Sequence, residues 1–169
     1  MAVLVMAVGL PTALGGNSGP VLADTVYCPP DITWTVDENI YVDGWCLIQA
    51  DVNGNIYLDA DTDSVNYDSG YLNGNIEADA CYQVHVGSGT YVDGNVEAYW
   101  CDVFVGATEM NGNVYVEHGD LKIFAGAMIW GNVKVEDGTC DIDPDAMIFG
   151  NTEGACYMST STGGPALLI

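Results

Sequence analysis

The chain has 169 residues, of which 24 are Asp or Glu and two are Lys (Lys122 and Lys134), with no Arg, giving a formal net charge of −22. Nucleic acid and anionic membrane surfaces both require basic patches on a partner, so this charge excludes them. Such acidity usually accompanies disorder, but aromatic and β-branched residues are frequent and periodic here, which marks a folded acidic shell dependent on counterions.

The first 23 residues open on an apolar run, Met1 to Leu14, and close on Val21-Leu22-Ala23 before Asp24. An apolar stretch followed by small residues is the pattern of a secretory signal, although the cationic leading region of such signals is missing. Removal of the segment and its retention as a packed strand both stay open. Pro11 and the Gly15-Gly16 pair break the run, which is too short and interrupted to span a membrane. Residues 24–169 read as one domain, because a single repeat family fills their middle.

The repeat is a short phrase that returns six times, beginning at Val52, Leu72, Val92, Met110, Ile129 and Ile148. Its glycines are Gly54, Gly74, Gly94, Gly112, Gly131 and Gly150, at steps of 20, 20, 18, 19 and 19 residues. A fixed period of this size marks units that stack on one another. After each Gly-Asn comes an alternating run, as in Ile56-x-Leu58-x-Ala60, Ile76-x-Ala78-x-Ala80 and Val114-x-Val116. Period two with apolar residues on one side is a half-buried strand. A looser apolar stretch follows in each unit: Val65/Tyr67, Val84/Val86, Val103/Val105, Leu121/Ile123 and Ile142. Two strands and two turns account for about 19 residues, one rung of a parallel β-solenoid or a stack of β-arches. Leucine-rich repeats have similar periods but need a Leu framework and a helical side, and no run here has the 3.6-residue period of a helix. The fold class is therefore all-β, with about six rungs and almost no helix.

Glycine before asparagine suits a corner that takes positive φ, which Gly adopts freely and Asn tolerates. Stacking then places Asn55, Asn75, Asn95, Asn113, Asn132 and Asn151 above one another, where side-chain amides at a strand spacing of about 4.8 Å can form a ladder. Asn-Gly also serves as a hairpin turn in antiparallel meanders. Hairpins would not require the long fixed period, so the solenoid is the better reading.

Six cysteines, Cys28, Cys46, Cys81, Cys101, Cys140 and Cys156, fit disulfides in an oxidising compartment. Cys81 and Cys101 each lie seven residues after a repeat glycine, so they share one site on adjacent rungs, about 5 Å apart and within reach of a disulfide. The other four have no such pairing by register. Cys28 and Cys46 fall toward one end and Cys140 and Cys156 toward the other, where bonds to neighbouring molecules come within reach.

Asp59, Asp61 and Asp63 alternate in the manner of an oxygen cage for Ca²⁺, without the Gly and distant Glu of an EF-hand loop, and Asp141, Asp143 and Asp145 form a weaker second candidate. In so acidic a chain such clusters are more often a solvated face, yet stacked like charges call for divalent cations somewhere. No cofactor is required. His85 and His118 occupy different places in their repeats, so they do not form a shared site. No nucleophile, phosphate-loop or thiol-redox motif is present, and the short, even corners leave no cleft for a substrate, so the chain is not expected to be an enzyme. Trypsin has only Lys122 and Lys134 to cut, both within expected strands.

From about Val42 to Asn151 the repeated phrase resembles, in general style, the bactofilins, which are bacterial polymers of β-helical subunits. Six cysteines, extreme acidity and an export-like segment depart from that cytoplasmic family. Taken together, these features are similar to the sheath protein of filamentous methanogenic archaea, which forms a tough, disulfide-reinforced, β-rich tube around chains of cells. The resemblance implies an extracellular cell-envelope subunit that partners itself, its strands joining across neighbours into hoops or filaments of a sheath, and it supplies no catalytic residues. An expectation of another class is a secreted acidic β-solenoid adhesin or a carbohydrate- or Ca²⁺-binding module, for which Tyr57, Tyr99 and Tyr115 give a partial aromatic stripe.

Overall fold

The computed structural model describes residues 25–28, 31–60 and 63–158. The N-terminal segment 1–23 and Asp61 lie outside them. Among the described residues there are sixteen strands and no helix. Every strand pairing is parallel. The Asn-Gly corners are thus rungs of a β-solenoid and not hairpins.

Three ladders run along the stack. In the first, inward residues follow one another as Val26, Ile40, Ile56, Ile76, Val96, Val114 and Val133. The second carries two inward columns, one from Cys46 through Val65, Val84, Val103 and Leu121 to Cys140, the other from Ile48 through Tyr67, Val86, Val105 and Ile123 to Ile142. The third stacks Val52, Leu72, Val92, Met110, Ile129 and Ile148. These columns form one continuous buried core. Burial of each such Val, Leu or Ile contributes about 1.5–3 kcal/mol, so the core is the main source of stability. Tyr67 is its largest member. Its hydroxyl donates to Ala50 O at 3.1 Å, and burial, aided by the charge of Asp51, pushes its phenol well above the usual range.

The repeat glycines are required for a reason other than positive φ. Of the six, only Gly74 has positive φ, and its 159° is extended backbone. Instead, the rungs approach too closely for a side chain. A Cβ at Gly74, Gly94, Gly112, Gly131 or Gly150 would come within 3.0 Å of the carbonyl of the glycine one rung earlier. At Gly54 it would meet the carbonyl of Glu38 in the same way, which identifies Glu38-Asn39 as an earlier corner without its glycine. Two short rungs that the repeated phrase does not reveal therefore precede Gly54. The earlier of them joins the stack through the bridges Ile32↔Ile48 and Val36↔Val52.

The asparagine ladder forms, chiefly between side chain and backbone. Asn39 Oδ1 accepts the Asn55 N–H at 2.9 Å, and the pattern repeats for Asn75, Asn95, Asn113, Asn132 and Asn151, each donating to the Oδ1 of the rung before. Amide-to-amide bonds occur at two steps, from Asn113 Nδ2 to Asn95 Oδ1 (3.1 Å) and from Asn132 Nδ2 to Asn113 Oδ1 (3.2 Å).

Among the described residues, positive φ outside glycine occurs at a different corner, after the first-ladder strand. Ala80, Trp100, His118 and Asp137 form a column there with φ of 55°, 58°, 58° and 52°. The N–H groups of Ala80, Trp100 and His118 each donate to a carbonyl of the next rung, at 2.8–2.9 Å, which holds the turn in place.

All six cysteines are paired within the chain. Cys81–Cys101 links adjacent rungs as their equal offset implies, with Cα atoms 4.9 Å apart. Cys28–Cys46 and Cys140–Cys156 also close, at Cα separations of 5.6 and 4.5 Å, which corrects the expectation that these four lacked partners and were free to bond neighbouring molecules. Cys140 and Cys156 are in fact register partners. The last rung takes a shortcut, passing from Gly154 to Cys156 where the rung before it runs from Val135 to Cys140, so the step is 16 residues and the offset from the repeat glycine no longer identifies the match.

Candidate functional site

The outer side of the first ladder carries the most differentiated surface. Tyr27, Tyr41 and Tyr57 occupy successive rungs, and the rings of Tyr41 and Tyr57 stack with centroids 4.9 Å apart. The Tyr57 hydroxyl accepts a bond from Asn55 Nδ2 at 2.7 Å, which ties the ring to the asparagine ladder. On the next two rungs the column changes to Glu77 and Glu97, and it then returns to Tyr115. Two residues along the strand, Asp79 and Tyr99 are in register, and the Tyr99 and Tyr115 rings meet edge-on at 5.7 Å.

Short side chains between two sets of rings leave a groove of about 300 Å³. Tyr41 and Tyr57 wall one side and Tyr99 the other, while Asp59, Glu77, Asp79 and Glu97 supply four carboxylates. Neither lysine of the chain lines it.

Farther along the same face the chain supplies its own cation. Lys134 is in register with Tyr115; its Nζ sits 5.4 Å from the centroid of that ring and pairs with Glu136. The Glu136 contact raises the Lys134 pKa, and Lys134, with the Tyr115 hydroxyl, lowers that of Glu136. The Tyr115 hydroxyl lies 2.8 Å from Glu117 Oε2 and 3.2 Å from Glu136 Oε2, and these acceptors push its phenol well above the usual range.

Of the carboxylates Asp59, Asp61 and Asp63, the last is already engaged and Asp61 lies outside the described residues. Asp63 is 1% exposed, its Oδ1 accepting the Gly44 N–H at 2.7 Å and its Oδ2 the Asp59 N–H at 3.4 Å, so it closes a corner. Asp59 is exposed at the groove. In the second cluster, Asp141 pairs with Lys122 at 3.1 Å and Asp143 caps the Asp145 N–H at 2.9 Å. Among the described residues, no three Asp, Glu, His or Cys side chains converge on one point.

The two histidines are apart, as their repeat positions imply. His85 Nδ1 is 2.7 Å from Asn66 Oδ1 on the second ladder, whereas His118 stacks on Trp100 at the corner, with ring centroids 4.1 Å apart. Both lysines lie in strands, Leu121–Ile123 and Val133–Ile142.

The C-terminal end of the stack differs from its middle. Thr152 continues the column of Val114 and Val133 but is exposed, and Ile148 is partly exposed where Ile129 is fully buried. The strand Thr152–Met158 pairs with Val133–Ile142 and, among the described residues, with no other strand. At the opposite end Ile32 and Val36 are buried.

Three disulfides are the mark of a chain that matures in an oxidising environment. No helix of the described residues is long and apolar enough to cross a membrane. No protein-family model, curated protein or solved structure matches the chain.

Proposed function

We propose that the chain is a structural subunit of an extracellular cell-envelope polymer, assembling with copies of itself through β-strand edges into hoops or filaments of a protective sheath. The observation that carries this reading is the C-terminal rung. Among the described residues, one edge of its strand has no partner for its backbone N–H and C=O groups, and Thr152 is exposed and Ile148 partly exposed there. Such an edge templates the addition of another strand. Head-to-tail contact between identical subunits repeats until it closes as a ring or continues as a fibre. With all six cysteines paired within the chain, the disulfides stiffen the subunit and the contacts between subunits are non-covalent. Divalent cations would help by neutralising acidic faces.

Sedimentation of the purified, oxidised chain with and without Ca²⁺, with electron microscopy of the product, tests the reading. Rings, tubes or filaments are expected. A stable monomer at high concentration in both conditions would sink it. That outcome would favour a second reading, a secreted acidic adhesin or carbohydrate- or Ca²⁺-binding module, for which the tyrosine-walled groove is the specific support.

A further inference from the structure

We infer that the groove between Tyr57 and Tyr99 is a binding site for an alkylammonium group, such as a polyamine or a lysine side chain presented by another molecule. Glu77 and Glu97 are register partners on adjacent strands, about 4.8 Å apart, with Asp79 beside them. Like charges opposed at this distance are destabilising unless a cation intervenes. The rings on both sides supply the second component of ammonium recognition, an aromatic face within cation–π reach.

The same sheet face shows this recognition already made. Lys134 Nζ lies over the Tyr115 ring of the neighbouring rung while pairing with Glu136 on its own strand, so this face already holds one ammonium with a tyrosine and a glutamate. The groove offers the same two kinds of group in a different register, with tyrosine directly opposite glutamate at Tyr57↔Glu77, and no lysine lines it.

Other ligand classes fit less well. A neutral sugar would desolvate four carboxylates without neutralising them. A bare divalent ion needs several oxygens converging on one point, an arrangement not found here, and gains little from the rings. The site lies on a face and not at an end of the stack, so it stands whether or not the chain polymerises.

Calorimetric titration of the full oxidised chain with 1,5-diaminopentane, at an ionic strength of about 0.15 M to suppress diffuse attraction, provides the test. A second arm uses N-acetyl-lysine methylamide and a third CaCl2. Glu77→Gln/Glu97→Gln is expected to weaken diamine binding at least about 10-fold, and Tyr57→Leu or Tyr99→Leu about 3- to 30-fold, the range a cation–π contact carries. Asp145→Asn/Glu153→Gln, with the same charge change at the far end, should alter it less than about 2-fold, since exposed charges beyond a Debye length are screened. Groove-dependent binding of the diamine alone identifies a free polyamine, and binding of both amines extends the site to lysine side chains. Equal losses from the groove and far-end pairs, indifference to both tyrosine variants, or Ca²⁺ bound more tightly than either amine would overturn the inference. Non-reducing mass mapping of the three disulfides confirms that each variant is folded.

Discussion

Asn95 holds two donors of the following rung at once, the Asn113 N–H at 2.9 Å and the Asn113 Nδ2 amide at 3.1 Å. Its own N–H is taken by Asn75 Oδ1. Asn151 occupies the same column but ends it, with no later rung among the described residues to use its Oδ1. An intramolecular hydrogen bond contributes about 0.5–1.5 kcal/mol, and an orphaned donor costs more where water cannot reach it. Asn95→Ala is therefore expected to lower the thermal midpoint by about 2–4 °C, the shift that corresponds to about 1 kcal/mol in a chain of this size. Asn151→Ala should leave the midpoint of the isolated chain almost unchanged. Scanning calorimetry of the disulfide-intact protein checks both, and equal shifts would mean that the ladder does not stabilise through its side-chain acceptors.

At the scale of the element, two of the corners of a rung are set by different constraints. The Asn-Gly corner is limited by the approach of consecutive rungs, whereas the corner at Ala80, Trp100, His118 and Asp137 adds a left-handed backbone to a close approach that recurs at Gly119 and Gly138. A left-handed residue with a Cβ costs about 1–2 kcal/mol, and glycine removes that strain while adding about 0.4–1 kcal/mol of unfolded-state entropy. Ala80→Gly, a change of one methyl group, should accordingly stabilise the chain by about 0.5–1 kcal/mol, measured as a higher midpoint in chemical denaturation; a lower midpoint would show that the methyl group's packing outweighs the strain. The period of the glycines and the alternation after them made the parallel stack legible in the sequence, because every rung repeats the same steric demand. The left-handed corner was not legible: Ala, Trp, His and Asp share no side-chain property, and only their common offset in the repeat relates them. The two earliest rungs escaped notice because Glu38 stands where later rungs have glycine. Cys140–Cys156 was hidden by the shortened last rung. The groove was visible only in part, since Tyr57, Tyr99 and Tyr115 are apparent as a stripe but Glu77 and Glu97 acquire meaning only once register sets them between the rings.

For the molecule as a whole, a formal charge of −22 must be carried on a narrow stack with two lysines to offset it, each already paired with a carboxylate. Register aligns some of this charge, as in Glu77↔Glu97 and Glu117↔Glu136. Neighbours one strand apart, at about 4.8 Å, lie inside the Debye length at any ordinary salt, which is about 30 Å at 0.01 M and about 8 Å at 0.15 M. Salt therefore acts mainly on repulsion across several rungs and between molecules, and leaves adjacent pairs to specific cations. Self-repulsion of this kind opposes the compact state more than the expanded one. Raising NaCl from about 0.01 to 0.15 M should thus raise the thermal midpoint and, in the same series, increase association measured by light scattering. Both responses should level off on further addition, because screening of repulsion saturates as the Debye length falls below the spacing between rungs, at about 3 Å in 1 M salt, and edge-to-edge contact gains nothing more from screening once copies can approach. A midpoint that falls with salt would mean that the Lys122–Asp141 and Lys134–Glu136 pairs outweigh the remaining charge, and the acidic shell would then have to be regarded as a source of stability.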